Sequence, residues 1–240
     1  MFLYFAKKRY ICIWNQLLKL MGILLPPEYI EQLSPLVKPL FLKWATYLHE
    51  KVDFNMPDSV FHAAPHCERV LLYSLLLGEQ ILGDNPAALE ALAHASIFHE
   101  TRRLDDYLDT GHGARGAVHY EQQCREDSSL KFHPESVYLI RYHDLDDEIG
   151  IKAISSHFSQ GNELPLTLYS IFKDADALDR WRLGSRGLDP RYLRTKEARQ
   201  MTEFSRNIVK ITTPPAVQRE IDEIINKFLD EIENNPDFKG

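Results

Sequence analysis

Ala93-His94-Ala95-Ser96-Ile97-Phe98-His99-Glu100-Thr101-Arg102-Arg103-Leu104-Asp105-Asp106 is the stretch around which the chain is organised. An alanine-rich, helix-favouring apolar run ends in a histidine and a carboxylate side by side, and two arginines and two aspartates follow at once. Burying such charges without partners costs several kcal/mol, so a packed element that ends this way marks a site. A metal ion is an economical partner for it. His66, His112, His143 and Asp174 are spread before and after as residues able to complete a metal shell.

Outward from that stretch the chain reads as helices. Pro27 opens one that is renewed after Pro35 and runs over 36–49, and prolines suit first turns. Val70, Leu71, Leu75 and Leu76 keep helical spacing in a helix over 66–82, and Pro86 opens another over 87–100. Further helices are predicted over 114–125, from 134 through 140 toward His143, over 164–178 and over 195–211, with 184–190 a loop. After Pro214-Pro215, Val217, Ile221, Ile224, Ile225, Phe228, Leu229 and Ile232 form an amphipathic stripe that suits docking on a core better than a membrane. No segment sustains period-two alternation. The expected fold is all-α, one domain over 26–240 with a helical extension over 1–25.

Composition narrows the function classes. The 240 residues, 44% hydrophobic and 26% charged, suffice for one large core. A formal net charge of −7 argues against a duplex nucleic-acid binder, although a local basic patch can still take a phosphorylated small molecule. Three scattered cysteines, Cys12, Cys67 and Cys124, point away from a disulfide framework and toward a reducing, cytoplasmic compartment. Residues 10–25 are too short and too polar for a membrane span: Asn15, Gln16 and Lys19 interrupt them. An oligomer is compatible with either amphipathic end.

Three look-alike motifs fall away on context. His99-Glu100 lacks the second zinc-protease histidine, since Arg103 stands there. Gly111-His112-Gly113-Ala114-Arg115-Gly116 has the GxGxxG spacing but follows an aspartate-rich loop instead of a strand. Asp105-Asp106-Tyr107-Leu108-Asp109 matches DDxxD but leaves the histidines unexplained.

The ordered set His66-Cys67-Glu68-Arg69, Phe98-His99-Glu100, His112-Gly113-Ala114-Arg115, Arg141-Tyr142-His143-Asp144 and Lys173-Asp174-Ala175-Asp176 resembles the HD-domain superfamily of metal-dependent phosphohydrolases over about residues 60–195. Its signature is H…HD…D on a helical bundle, and Glu100 stands where the family has aspartate. The resemblance implies an HD-like bundle with added terminal helices and a divalent ion on His66, His99, Glu100 and Asp174. His112 and His143 would hold a second ion or contact the phosphate. Imidazole–carboxylate sets suit Mn, Fe, Co, Ni or Zn better than Mg. Arg102, Arg103 and Arg115 are candidates for a phosphate clamp, with Lys173 in a similar part. The expected activity is hydrolysis of a phosphate ester or nucleotide by metal-activated water. The alternative, motivated by Glu100, is a non-catalytic HD domain that binds a nucleotide or a protein.

Overall fold

In the computed structural model, Leu18, residues 21–158 and residues 161–234 are described, the side chains of 228–234 excepted. The described residues are all-α. Helices α1 (Pro27–Ile30) and α2 (Val37–Lys51) are followed by α3 (Ala64–Leu82), α4 (Pro86–Phe98), α5 (His112–Glu126), α6 (Pro134–Tyr142), α7 (Asp147–His157) and α8 (Leu164–Leu178). Two 3-10 turns, Asp179–Leu183 and Pro190–Tyr192, lead to α9 (Lys196–Gln200), α10 (Thr202–Thr212) and α11 (Pro215–Asn234). None of the described helices is long and apolar enough to cross a membrane.

Helix α4 lies at the centre of the packing. Beyond its exposed first turn, Ala88, Leu89, Ala91, Leu92, Ala93, Ala95, Ile97 and Phe98 are at most 3% exposed, covered by α3, α2 and α6. A helix apolar all round is stable only when it is enclosed in this way. Asn85 caps its start by accepting from the Ala88 N–H, 3.2 Å. At its end the Thr101 hydroxyl donates to the Phe98 carbonyl, 2.8 Å, and the chain turns away with His99 at the C-cap. Helix α8 packs on α3, and α5 pairs with α6. Buried Phe41, Trp44, Leu71, Leu75, Leu168 and Phe172 fill the spaces between.

Several boundaries differ from expectation. Helix α7 was not anticipated; it presents Gly150 to Tyr169, where an added Cβ would lie 2.3 Å from the phenol oxygen. The helix expected over 195–211 is two, broken at Met201. Of the extension expected over 1–25, residues 1–17, 19 and 20 lie outside the described residues. Residues 21–25 dock on the body: buried Glu68 accepts from the Leu24 and Leu25 backbone N–H groups, both 2.9 Å, and lies 2.7 Å from His49. Of the C-terminal stripe, Ile221 is buried and Ile224 and Ile225 face a cleft, while the side chains of Phe228, Leu229 and Ile232 lie outside the described set.

Candidate metal centre

Helix ends converge on one buried point. His66 sits in the first turn of α3, His99 and Glu100 follow α4, His112 opens α5, His143 caps α6, and Asp176 lies in the last turn of α8. His66, His99, Glu100, His112 and His143 are each at most 5% exposed.

Each imidazole is oriented by a fixed acceptor on its Nδ1. His99 Nδ1 faces the Ser96 carbonyl at 2.9 Å, His112 that of Asp109 at 2.7 Å, and His143 that of Ile140 at 2.7 Å. His66 Nδ1 faces the Asp179 carboxylate at 2.8 Å, and Asp179 is itself gripped by Arg69 through two bonds of 2.6 and 2.9 Å. A carbonyl or carboxylate only accepts, so Nδ1 carries the hydrogen and Nε2 is left with a lone pair in the neutral ring.

All four Nε2 atoms point at one another and at two carboxylates. His66 and His99 Nε2 are 3.2 Å apart, and those of His112 and His143 are 2.9 Å apart. Asp176 Oδ1 is 3.3 Å from His66 and 3.9 Å from His99. Glu100 Oε1 is 3.5 Å from His112, 3.7 Å from His143 and 3.9 Å from His99. Facing lone pairs repel, and a cation between them removes the repulsion. Two nitrogen ligands at about 2.1 Å on one tetrahedral ion stand about 3.4 Å apart, close to the His66–His99 spacing. His66, His99 and Asp176, and likewise His99, Glu100 and His143, bring one ligand atom each within 4.8 Å of the others. Both groups could therefore hold a metal ion.

The charges at the centre are held by one another. Burial drives the His99 pKa down to about 3, leaving its imidazole neutral. Burial works against ionising Glu100 as well, yet contacts with His112, His143 and His62 hold its carboxyl well below the usual range. Asp176 is lowered likewise, against its burial, by His66. Desolvation opposes charge on His143, but the bond and charge of Glu100 outweigh it and raise that pKa.

No family model, curated protein or solved structure matches the chain.

That geometry brings together His66, His99, Glu100, His112 and His143, and it corrects the expectation for Asp174. Both Asp174 oxygens are taken up elsewhere: Oδ1 by the Arg194 backbone N–H (2.8 Å) and guanidinium (3.2 Å), Oδ2 by the Thr195 N–H (2.7 Å) and hydroxyl (2.8 Å). Two residues on a helix subtend about 200°, so Asp176 reaches the imidazoles and Asp174 cannot. Asp176 shares its helix face with Asp179, three residues on, and that spacing was the available signal.

The centre opens into a cleft of about 1050 Å³. Arg102 and Arg115, expected as clamps, do not line it: Arg102 pairs with Asp53 at 2.9 Å, and Arg115 with Asp109 at 2.5 Å. Arg103 and Lys173 line it but are committed. Arg103 donates to the carbonyls of Asp105 and Tyr107 and lies 3.4 Å from Glu100, and Lys173 donates to the carbonyls of His143 and Leu145. His62 and Arg182, for which the sequence suggested no role at the site, are on the wall, with His62 Nδ1 3.4 Å from Glu100. At the mouth Leu104, Tyr107 and Leu108 are 66, 71 and 91% exposed, beside Ile224 and Ile225 of α11.

Proposed function

We propose that this protein is a metal-dependent phosphohydrolase of the HD type, acting on a phosphate ester or nucleotide. The observation that carries this reading is the orientation of four buried imidazoles, each held through Nδ1 so that its Nε2 lone pair meets Glu100 or Asp176. The residues that would hold ions are His66, His99 and Asp176 on one side and Glu100, His143 and His112 on the other. A divalent ion bound there supplies Lewis acidity toward a phosphoryl oxygen and makes water more acidic.

The chain's own residues do the rest. Asp179 and Arg69 keep His66 in the required tautomer, and Lys173 pins the carbonyls on either side of Asp144. Arg103 ties the 104–109 loop to Glu100, so the mouth and the floor of the cleft are one rigid unit. The cleft wall carries seven carboxylates, Glu100, Asp105, Asp106, Asp109, Asp144, Asp146 and Asp176, against Arg103, Lys173, Arg180 and Arg182. An anionic substrate would be repelled by that excess, which divalent cations reverse.

The test is elemental analysis of the full chain purified without an affinity metal or chelator, followed by a phosphate-ester and nucleotide screen. One or two equivalents of Mn, Fe, Co, Ni or Zn are expected, lost together with phosphate release in H99A and D176A. Protein that neither holds nor takes up such a metal overturns the reading. Metal without release of phosphate from any ester favours the non-catalytic binding domain instead.

A further inference from the structure

Four basic side chains line the cleft, and their hydrogen bonds separate them. Arg103 and Lys173 are spent on backbone carbonyls and on Glu100 and Asp147. Arg180 is exposed and donates to the Gly187 carbonyl. Arg182 differs. It is 5% exposed, and its Nε donates to the Phe61 carbonyl at 2.8 Å, which holds the guanidinium against the loop carrying His62. Its Nη1 is buried and has no hydrogen-bond partner among the described residues.

The neighbouring carboxylate does not meet that demand. Asp179 already accepts from Arg69 Nε and Nη2 and from His66 Nδ1, and Arg182 Nη1 lies 3.8 Å away, beyond hydrogen-bond reach. A buried guanidinium with an open N–H is unfavourable unless an acceptor arrives. Glu100, Asp176 and His62 line the same cleft as Arg182, so an acceptor bound to it would share the cleft with the candidate metal centre. A planar fork held by its Nε is well shaped for two oxygens of a phosphoryl group.

We propose that Arg182 is the anion-binding residue of this cleft, donating from its terminal nitrogens to the non-bridging oxygens of a phosphate group. The assignment rests on the phosphohydrolase reading for its substrate and replaces Arg102 and Arg115 as the clamp. Arg182 fixes the phosphoryl group against the floor, while the apolar mouth is left to the remainder of the ester.

The experiment is calorimetric titration of the metal-loaded full chain with inorganic phosphate, comparing wild type, R182Q and R182K. Loss of a charge-assisted bond weakens phosphate binding roughly ten- to hundredfold in R182Q. R182K keeps the charge without the fork and is expected to fall between. Metal content and Tm stay close to wild type, and KM for any hydrolysed ester rises. Phosphate affinity within twofold of wild type in R182Q overturns the proposal, as does a fall in Tm with affinity unchanged. Should both variants fail to fold, wild-type crystals soaked in tungstate decide: an oxyanion oxygen within hydrogen-bond distance of Arg182 supports it, and an oxyanion elsewhere in the cleft overturns it. Phosphate held through Arg182 with no ester hydrolysed keeps the anion site and removes the phosphohydrolase. Hydrolysis indifferent to R182Q does the reverse.

Discussion

Asp174 and Asp176 have the same side chain two positions apart, and the helix gives them opposite work. Asp174 is fully buried and takes four hydrogen bonds from Arg194 and Thr195, fastening the start of α9 to α8. Arg194 keeps Asp147, both bonds 2.7 Å, but an amide nitrogen in place of one carboxylate oxygen leaves buried donors facing a donor, so D174N is expected to cost about 1–3 kcal/mol in urea unfolding while metal content is kept. D176N is expected to do the opposite, losing metal while its stability falls only to that of the metal-free wild type. Away from the centre, burial, then the charge of Arg102, lowers His119 to about 4, and burial, then His94, does the same for His133. An unfolded histidine binds its proton below about pH 6.5. These two do not until about 4, so the unfolded state holds more protons in that window. Their contribution is therefore full above about pH 6.5 and is lost as pH falls toward 4. The slope of Tm against pH should be shallower over that window in a H119Q/H133Q double variant.

The site is assembled at helix ends, and one turn decides how closely two of them meet. Gly111 stands at φ 94°, a left-handed conformation suited to glycine, and its N–H donates to Asp144 Oδ2 at 2.6 Å. Gly113 lies so close to α6 that an added Cβ would be 2.5 Å from the Ile140 carbonyl oxygen and 2.7 Å from Asp144 Oδ1. That approach sets His112 and His143 at 2.9 Å. G113A forces α5 off α6 and is expected to destabilise by about 1–3 kcal/mol. If ions bind as proposed, it should also weaken one held by His112, His143 and Glu100 before one held by His66, His99 and Asp176, and stepwise metal loss under increasing chelator would read the order. The GxGxxG spacing thus has a packing origin.

Across the whole molecule, α3, α4, α5, α6 and α8 each have one terminus at the centre, so an ion held there would cross-link elements distant in sequence. An ion that binds only the folded state adds about 2.7 kcal/mol when free metal is 100 times Kd. For a chain of this size that is about 5–10 °C, so chelation is expected to lower Tm by this amount in a differential scanning experiment, and re-addition of Mn or Fe to restore it. H99A should start at the chelated Tm and not respond to either.

The all-α class, most helix positions and five of the six side chains that converge were legible in the sequence. Proline at helix starts, apolar residues at helical spacing and histidines at helix ends are local features that one chain segment expresses by itself. Helix α7 was not legible, because Ile149 and Ile151 stay exposed and it buries only Gly150 and Ile154. Nor was the choice of Asp176 over Asp174, the commitment of Arg102 and Arg115 to Asp53 and Asp109, or the open guanidinium of Arg182. Each of these depends on which partner arrives from a distant segment, and a hydrogen-bonding group satisfied by a remote neighbour looks the same in sequence as one left open. Packing decided which charges hold the fold and which face the cleft.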